Sequence, residues 1–198
     1  MATESWLLLI HQLRPKPPYL RVKVWRRLQA LGAVPLKNSV YVLPDRAETR
    51  EDFEWLVREI QKEAGDASLC EARIVDGLTD DEVRALFLRA REDDFRALGA
   101  DVRRFVRESI PARARSLSDE TRSLAEAALG RFRKRLAEVE RIDFFTAPGR
   151  EAVHGLLAGL EERIATRSGA RDTGGSRRSV TAAEVQGRKP GVEVRGRK

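Results

Sequence analysis

Three features of the sequence predict an α+β fold with a small sheet first and helices after it. Short runs of apolar alternation interleave with stretches of helical periodicity over the first 75 residues. Past Thr79 only helical periodicity remains, and past Thr166 neither pattern survives. The strands are few and short, so the expected unit is a ferredoxin-like βαβαβ sandwich followed by a helical extension, not a large doubly wound sheet. The corresponding divisions are a ferredoxin-like domain over 5–78, a helical extension over 79–166 and a disordered basic tail over 167–198.

Trp6 to Leu13 (WLLLIHQL) is almost wholly apolar and too short for a typical helix, which predicts a central strand buried on both faces. Pro15, Pro17 and Pro18 then fix an extended connector, with Pro18 near the first helical turn, where a missing N–H is harmless. From Tyr19, the residues Leu20, Val24, Leu28 and Leu31 fall in one narrow sector of a helical wheel. Lys23, Arg26 and Arg27 lie on one flank of that stripe, and Arg21 lies on the other beside Trp25. Gly32 is the expected C′ residue, since glycine alone reaches the left-handed conformation without a Cβ clash.

Val34, Leu36, Val40 and Val42 alternate up to Pro44. The polar tripeptide Lys37-Asn38-Ser39 interrupts them, either as an outward patch or as a tight bend making a hairpin; one long bent strand is the reading adopted. Thr49 with Asp52 resembles a capping box for a helix carrying Phe53, Leu56, Val57 and Ile60 to about Ala64. Ser68 to Val75 reads as a strand with Cys70, Ala72 and Ile74 inward. Thr79 and Glu82 cap a long amphipathic helix reaching about Ser109, and Pro111 breaks it. Ser118 caps a further helix to Arg141, and another follows Pro148-Gly149, the two expected to pack as an antiparallel pair. The stretch from Arg167 to Lys198 has too little apolar content to offset the entropy of ordering.

Of the 198 residues 41% are apolar, enough for one core of ordinary size with a small helical annex. A single cysteine, Cys70, excludes an internal disulfide, and no C-x-x-C or H-x-x-x-H spacing is present for zinc. With no secretory leader or spanning run recognisable, a soluble cytoplasmic protein is expected. Charge is segregated: residues 1–50 carry nine Lys/Arg against three acids, 51–166 twenty against twenty-five, and 167–198 nine against three. Such separation suits a protein with an acidic helical portion and basic regions that face a polyanion, although solvated basic flanks are the bland alternative.

Enzymatic chemistry finds little to work with. His11 and His154 are the only histidines, there is no Gly-x-Ser-x-Gly, Walker loop or G-x-G-x-x-G, and Cys70 is expected on a buried strand face. A lone imidazole such as His11 is more often structural than a base, and Asp80-Asp81 and Asp93-Asp94 read as helix-start and helix-surface acids. No enzyme, metal or cofactor is therefore expected. The nucleic-acid signal is stronger: Arg21, Lys23, Arg26, Arg27 and Lys37 surround one helix and its adjoining strand, and are the candidate DNA-binding residues. Trp25 is read as core packing rather than base stacking, with Tyr41 open between the two.

Several runs, in order, carry a family likeness: Trp6-Leu7-Leu8-Leu9-Ile10, Tyr19-Leu20-Arg21-Val22-Lys23-Val24-Trp25-Arg26-Arg27-Leu28, Lys37-Asn38-Ser39-Val40-Tyr41-Val42-Leu43-Pro44, Cys70-Glu71-Ala72-Arg73, Ile142-Asp143-Phe144-Phe145 and Ala147-Pro148-Gly149-Arg150-Glu151. Over about residues 5–166 the chain resembles the N-terminal domain of the ChrB chromate-resistance regulators. The resemblance implies a cytoplasmic regulator of chromate-efflux genes whose N-terminal part is associated with DNA binding. The further C-terminal domain, associated with chromate response, is expected to be absent, so its role is not carried over. Chromate resembles sulfate in shape and charge and is the candidate effector, but no convergent donor set for it is recognisable.

A looser likeness, to PaaX-type repressors and the small CRISPR adaptation nucleases, agrees with the strand, basic helix and Ser39-Val40-Tyr41 strand. Those nucleases place an acid at the end of the first strand, where this chain has His11-Gln12-Leu13. The leading expectation is a DNA-binding regulator acting as a homodimer. The alternative is a protein-interaction or oligomerisation module partnering a separate chromate-resistance domain. A metal-dependent nuclease acting through Asp45 ranks last.

Overall fold

A computed structural model describes residues 4–13, 18–111 and 116–166. Pro15 and Pro17 of the expected connector, and the expected tail over 167–198, lie outside the described residues. The element order is β1 (Trp6–Gln12), α1 (Tyr19–Ala30), β2 (Val34–Lys37), β3 (Val40–Pro44), α2 (Ala47–Lys62), β4 (Asp66–Ala72), α3 (Asp80–Ser109), α4 (Asp119–Arg141) and α5 (Arg150–Thr166). The fold is mixed α and β, a four-stranded sheet followed by helices, with strand order β2-β3-β1-β4 and every neighbouring pair antiparallel.

The expected single bent strand is two strands. Asn38 and Ser39 form the turn of a β2–β3 hairpin, and the ladder shifts register between Pro35 and Lys37. Pro35 has no N–H for a central ladder, which suits β2 to the sheet edge. The first half of the chain is therefore β-α-β-β-α-β, a split βαβ arrangement. β1 is central, as its composition predicts, and its start is buried on both faces. Ile10, however, is 43% exposed, because α3 and the 144–145 loop cover the sheet only at the Trp6 end.

The last strand is corrected in phase. β4 turns Ala67 and Leu69 toward the helices, whereas Cys70 pairs with Leu8 on the opposite face and is exposed. A one-residue slip exchanges the faces of a whole strand, and at a short edge strand few side chains resist it. A second correction concerns α2, which begins at Ala47, so Thr49 is its third residue and not its cap. The buried Thr49 hydroxyl still closes the helix start: Oγ1 donates to the Pro44 carbonyl at 2.6 Å and accepts from the Arg46 N–H at 3.1 Å.

α1 ends as the glycine predicts. Ala33 N–H donates to the Leu28 carbonyl and Gly32 N–H to the Gln29 carbonyl, both at 3.0 Å, with Gly32 at φ +71°, a Schellman closure. The Thr79 capping box is also present: Thr79 N–H donates to Glu82 at 2.8 Å and Glu82 N–H to Thr79 Oγ1 at 3.2 Å. Ser118 caps α4 by accepting from Thr121 N–H. Helices α4 and α5 run antiparallel, as shown by the pairs Arg133–Glu161 and Glu140–Arg150.

Two apolar clusters result. One fills the space between the sheet and α1 and α2, centred on Leu7, Leu9, Leu43, Phe53 and Ile60. The other lies among α3, α4 and α5. α3 belongs to both, giving Val83 and Phe87 to the first and Phe95, Leu98 and Val102 to the second. At the junction the Trp6 and Phe87 rings stack at 6.1 Å, and Arg91, 6% exposed, pairs with Asp94 at 2.8 Å.

Candidate nucleic-acid interface

Helix α1 is the natural place to begin, since its twelve residues include four cations and no acid. Its buried stripe of Leu20, Val24 and Leu28 fixes which way every other side chain points. The remaining positions divide between a flank toward α2, a flank toward the β2–β3 hairpin and the solvent side.

On the α2 flank the cations meet acids of the same chain. Lys23 Nζ lies 2.8 Å from Glu59 and 3.9 Å from Glu63, and Arg27 lies 3.9 Å from Asp52. The hydrogen bond that the Lys23 ammonium donates to Glu59 is the main cause of its raised pKa, so it is firmly charged but compensated. A groove of about 710 Å³ runs between the two helices, with Arg26, Arg58 and Lys62 on its lining alongside these pairs. Next to it, Glu48, Glu51 and Asp52 line a second opening with Arg27. A polyanion laid along this flank would meet carboxylates as well as cations.

The hairpin flank differs. Here a cleft of about 320 Å³ is lined by Arg21, Trp25, Asn38, Tyr41 and His11 over apolar residues of α1, and no acid among the described residues contributes to it. Among the described residues neither Arg21 nor Arg26 forms an ion pair. Trp25, expected in the core, is 54% exposed: at its position on the wheel the ring clears the buried stripe and stands at the surface. Tyr19 and Val22 are exposed as well, at 66% and 46%, so apolar and cationic groups alternate over the outer side of α1. Among the described residues the helix also starts with no side-chain cap, and its first turn holds no acid.

Lys37 does not join this set. The register pairs it with Val40, which lies opposite Ile10, on the sheet face turned away from α1. Of the five sequence-predicted residues, Arg21 and Arg26 are thus uncompensated on α1, Lys23 and Arg27 face α2, and Lys37 is on the far face. Sequence reasoning missed the α2 contribution. Trp55 is 58% exposed with the Arg58 guanidinium 5.2 Å from its ring, and the i, i+3 spacing of that pair was the available signal.

His11 is partly buried and stacks on Tyr41 at 5.7 Å and 18°. Burial pushes its imidazole below the usual value, its own backbone acting in the opposite sense, and Nδ1 has no aligned partner among the described residues. The acids weighed as metal ligands are engaged in the chain itself. Asp45 is bound by Arg50 at 2.7 Å and by the Ser5 hydroxyl at 3.2 Å. Asp80 accepts from the Trp6 indole at 2.8 Å and from Glu4 N–H at 3.1 Å, and Asp93 pairs with Arg96. No helix among the described residues is long and apolar enough to cross a membrane.

Comparison with known proteins places these features in a family. Residues 21–169 match the family described as Protein ChrB, N-terminal. The curated Protein ChrB of Cupriavidus metallidurans is 32% identical over 88 residues, which is 44% of this chain and 27% of that protein. The match therefore spans about a quarter of the relative's length. With most of α1 and everything from β2 through α5 inside the matched region, the chain belongs to the ChrB N-terminal family.

Proposed function

We propose that this chain is the DNA-binding portion of a cytoplasmic ChrB-type regulator of chromate-resistance genes, built on a ferredoxin-like sandwich whose first helix meets the phosphate backbone. One observation carries the reading: α1 has no acid, and Arg21 and Arg26 stand on it without an ion pair among the described residues, next to an exposed Trp25. Fixed guanidinium groups on a rigid helix meet phosphates at set separations, and an adjacent indole supplies sequence-tolerant contact to sugar or base. The engaged acids and the poor catalytic inventory favour binding over turnover. Chromate is the candidate effector; Arg91, the buried arginine, pairs with Asp94 through Nη2, and its Nε and Nη1 are buried with no partner among the described residues.

The test is a mobility shift on the DNA upstream of the protein's own operon, with and without chromate. Retardation at low salt is expected, and Arg21→Glu with Arg26→Glu should weaken it by about tenfold or more while the urea midpoint stays put. Unchanged affinity in that variant would remove α1 from the interface.

A second reading, a protein-interaction module, rests on the uncovered half of the sheet. Leu78, at 38%, lines an opening of about 460 Å³ with Leu8, Leu36 and Ile74, and Ile10 at 43% and the exposed Cys70 share the sheet face of Leu8. Association of two chains there would also give the homodimer that a two-fold operator calls for. Light scattering with co-purification separates the readings: a retained heterologous partner with no promoter shift favours the module.

A further inference from the structure

We propose that the cleft between α1 and the β2–β3 hairpin takes one unstacked nucleobase of the bound strand, with Trp25 as the stacking ring, Asn38 and His11 as the groups that meet the base edge, and Arg21 on the adjoining phosphate. The proposal deepens the nucleic-acid reading above and rests on it.

Size and lining come first. The opening, about 320 Å³, is at the small end of ligand clefts and has room for a single flat ring system and its sugar. Its floor is the apolar side of α1, with Val24 and Leu28, and its rim is aromatic on both sides. Tyr41 is held in place by its stack on His11, whereas the Trp25 ring is more than half exposed and lies free at the entrance. A phosphate alone would gain nothing from such walls. A planar base would remove apolar surface from water on both of its faces.

Polar groups are placed where the edge of a base would need them. Asn38 is at the hairpin turn, and that turn is anchored because His11 N–H donates to the Ser39 carbonyl at 3.0 Å. Its carboxamide offers both a donor and an acceptor, the combination that a base edge presents in return. His11 lines the same cleft and stacks on Tyr41, and its Nδ1 is buried with no aligned partner among the described residues. Burial favours the neutral imidazole, which can donate from one nitrogen and accept at the other. Among the described residues Arg21 is the only formal charge on the lining, and no carboxylate there opposes an incoming phosphate.

The experiment is fluorescence anisotropy of labelled DNA with the full chain at one low salt concentration. Three probes are compared: a blunt duplex, the same duplex with one unpaired base, and that duplex with an abasic sugar in place of the unpaired base. The unpaired base should tighten binding about tenfold over the blunt duplex, as expected for one base stacked on an aromatic ring. The abasic probe should lose that gain. Trp25→Ala and Asn38→Ala should bring the ratio of unpaired to blunt affinity close to one, and Leu124→Ala, at an exposed position of α4, should keep it. Equal binding of all three probes overturns the cleft assignment and leaves duplex binding by α1 standing. Absence of binding to any probe overturns both. Competition by a free mononucleotide as effective as the unpaired-base duplex would give the cleft to a soluble nucleotide and overturn the strand assignment.

Discussion

At Gly32 the chain does two things with one residue. Its backbone sits at φ +71°, and a Cβ there would lie 2.7 Å from the Ile142 Cβ and 2.9 Å from Arg91 Nη1. The first property was legible, because a glycine after an amphipathic run marks a helix end. The second was not, because it depends on a residue 110 positions away coming against the end of α1. Gly32→Ala is therefore expected to cost about 2 kcal/mol or more from backbone conformation and crowding together, read as a lower urea midpoint at unchanged slope. An unchanged midpoint would show that the contact between α1 and the helices is loose. Trp25 and Cys70 show the same limit from the other side. Each sits at the edge of its apolar pattern, where the sequence cannot say whether a neighbour arrives to cover it.

Among the elements, α3 is the one whose start, cap and end the sequence gives most completely, because Thr79, Glu82 and Pro111 are all local signals. What the local pattern hides is that its first residue also holds the start of the sheet. Asp80 accepts from the Trp6 indole and from Glu4 N–H, with Arg84 close by, and these together keep its carboxyl below the usual carboxylate range. The native state therefore prefers Asp80 ionised. This contribution to stability is complete above the ordinary carboxylate pKa and drains as pH falls through the lower native value. Asp80→Asn should lower the neutral plateau of a plot of urea midpoint against pH and flatten its acid limb, while changing the acid end less. An acid limb identical to wild type would place the link between β1 and α3 elsewhere. The β2–β3 hairpin was half legible: Lys37-Asn38-Ser39 announced a break, but alternation on both sides made one bent strand equally consistent until Pro35 was seen at an edge.

Over the whole molecule, the sequence separates charge by segment, and the fold then separates it again by side. α1 is basic throughout, yet half of that charge is spent on Asp52, Glu59 and Glu63 of α2, while Arg21 and Arg26 remain uncompensated. No helical wheel of α1 alone reveals this, since it depends on α2 packing alongside. The sheet, α1 and α2 form one apolar cluster and the three later helices another, so the proposed interface sits on a scaffold supported from behind by α3. Membership of the ChrB N-terminal family covers both parts.

The most direct measurement is the salt dependence of DNA binding for the wild type and two variants that each lose two cations. One is Arg21→Gln with Arg26→Gln, and the other is Lys23→Gln with Arg27→Gln. With about four to six phosphates engaged, the wild-type plot of log K against log salt should have a slope of roughly −4 to −5. The first variant should make it shallower by about 2, and the second should leave it within about 0.5 of wild type. Equal flattening by both variants, or a wild-type slope near zero, would contradict a backbone contact through the uncompensated cations of α1.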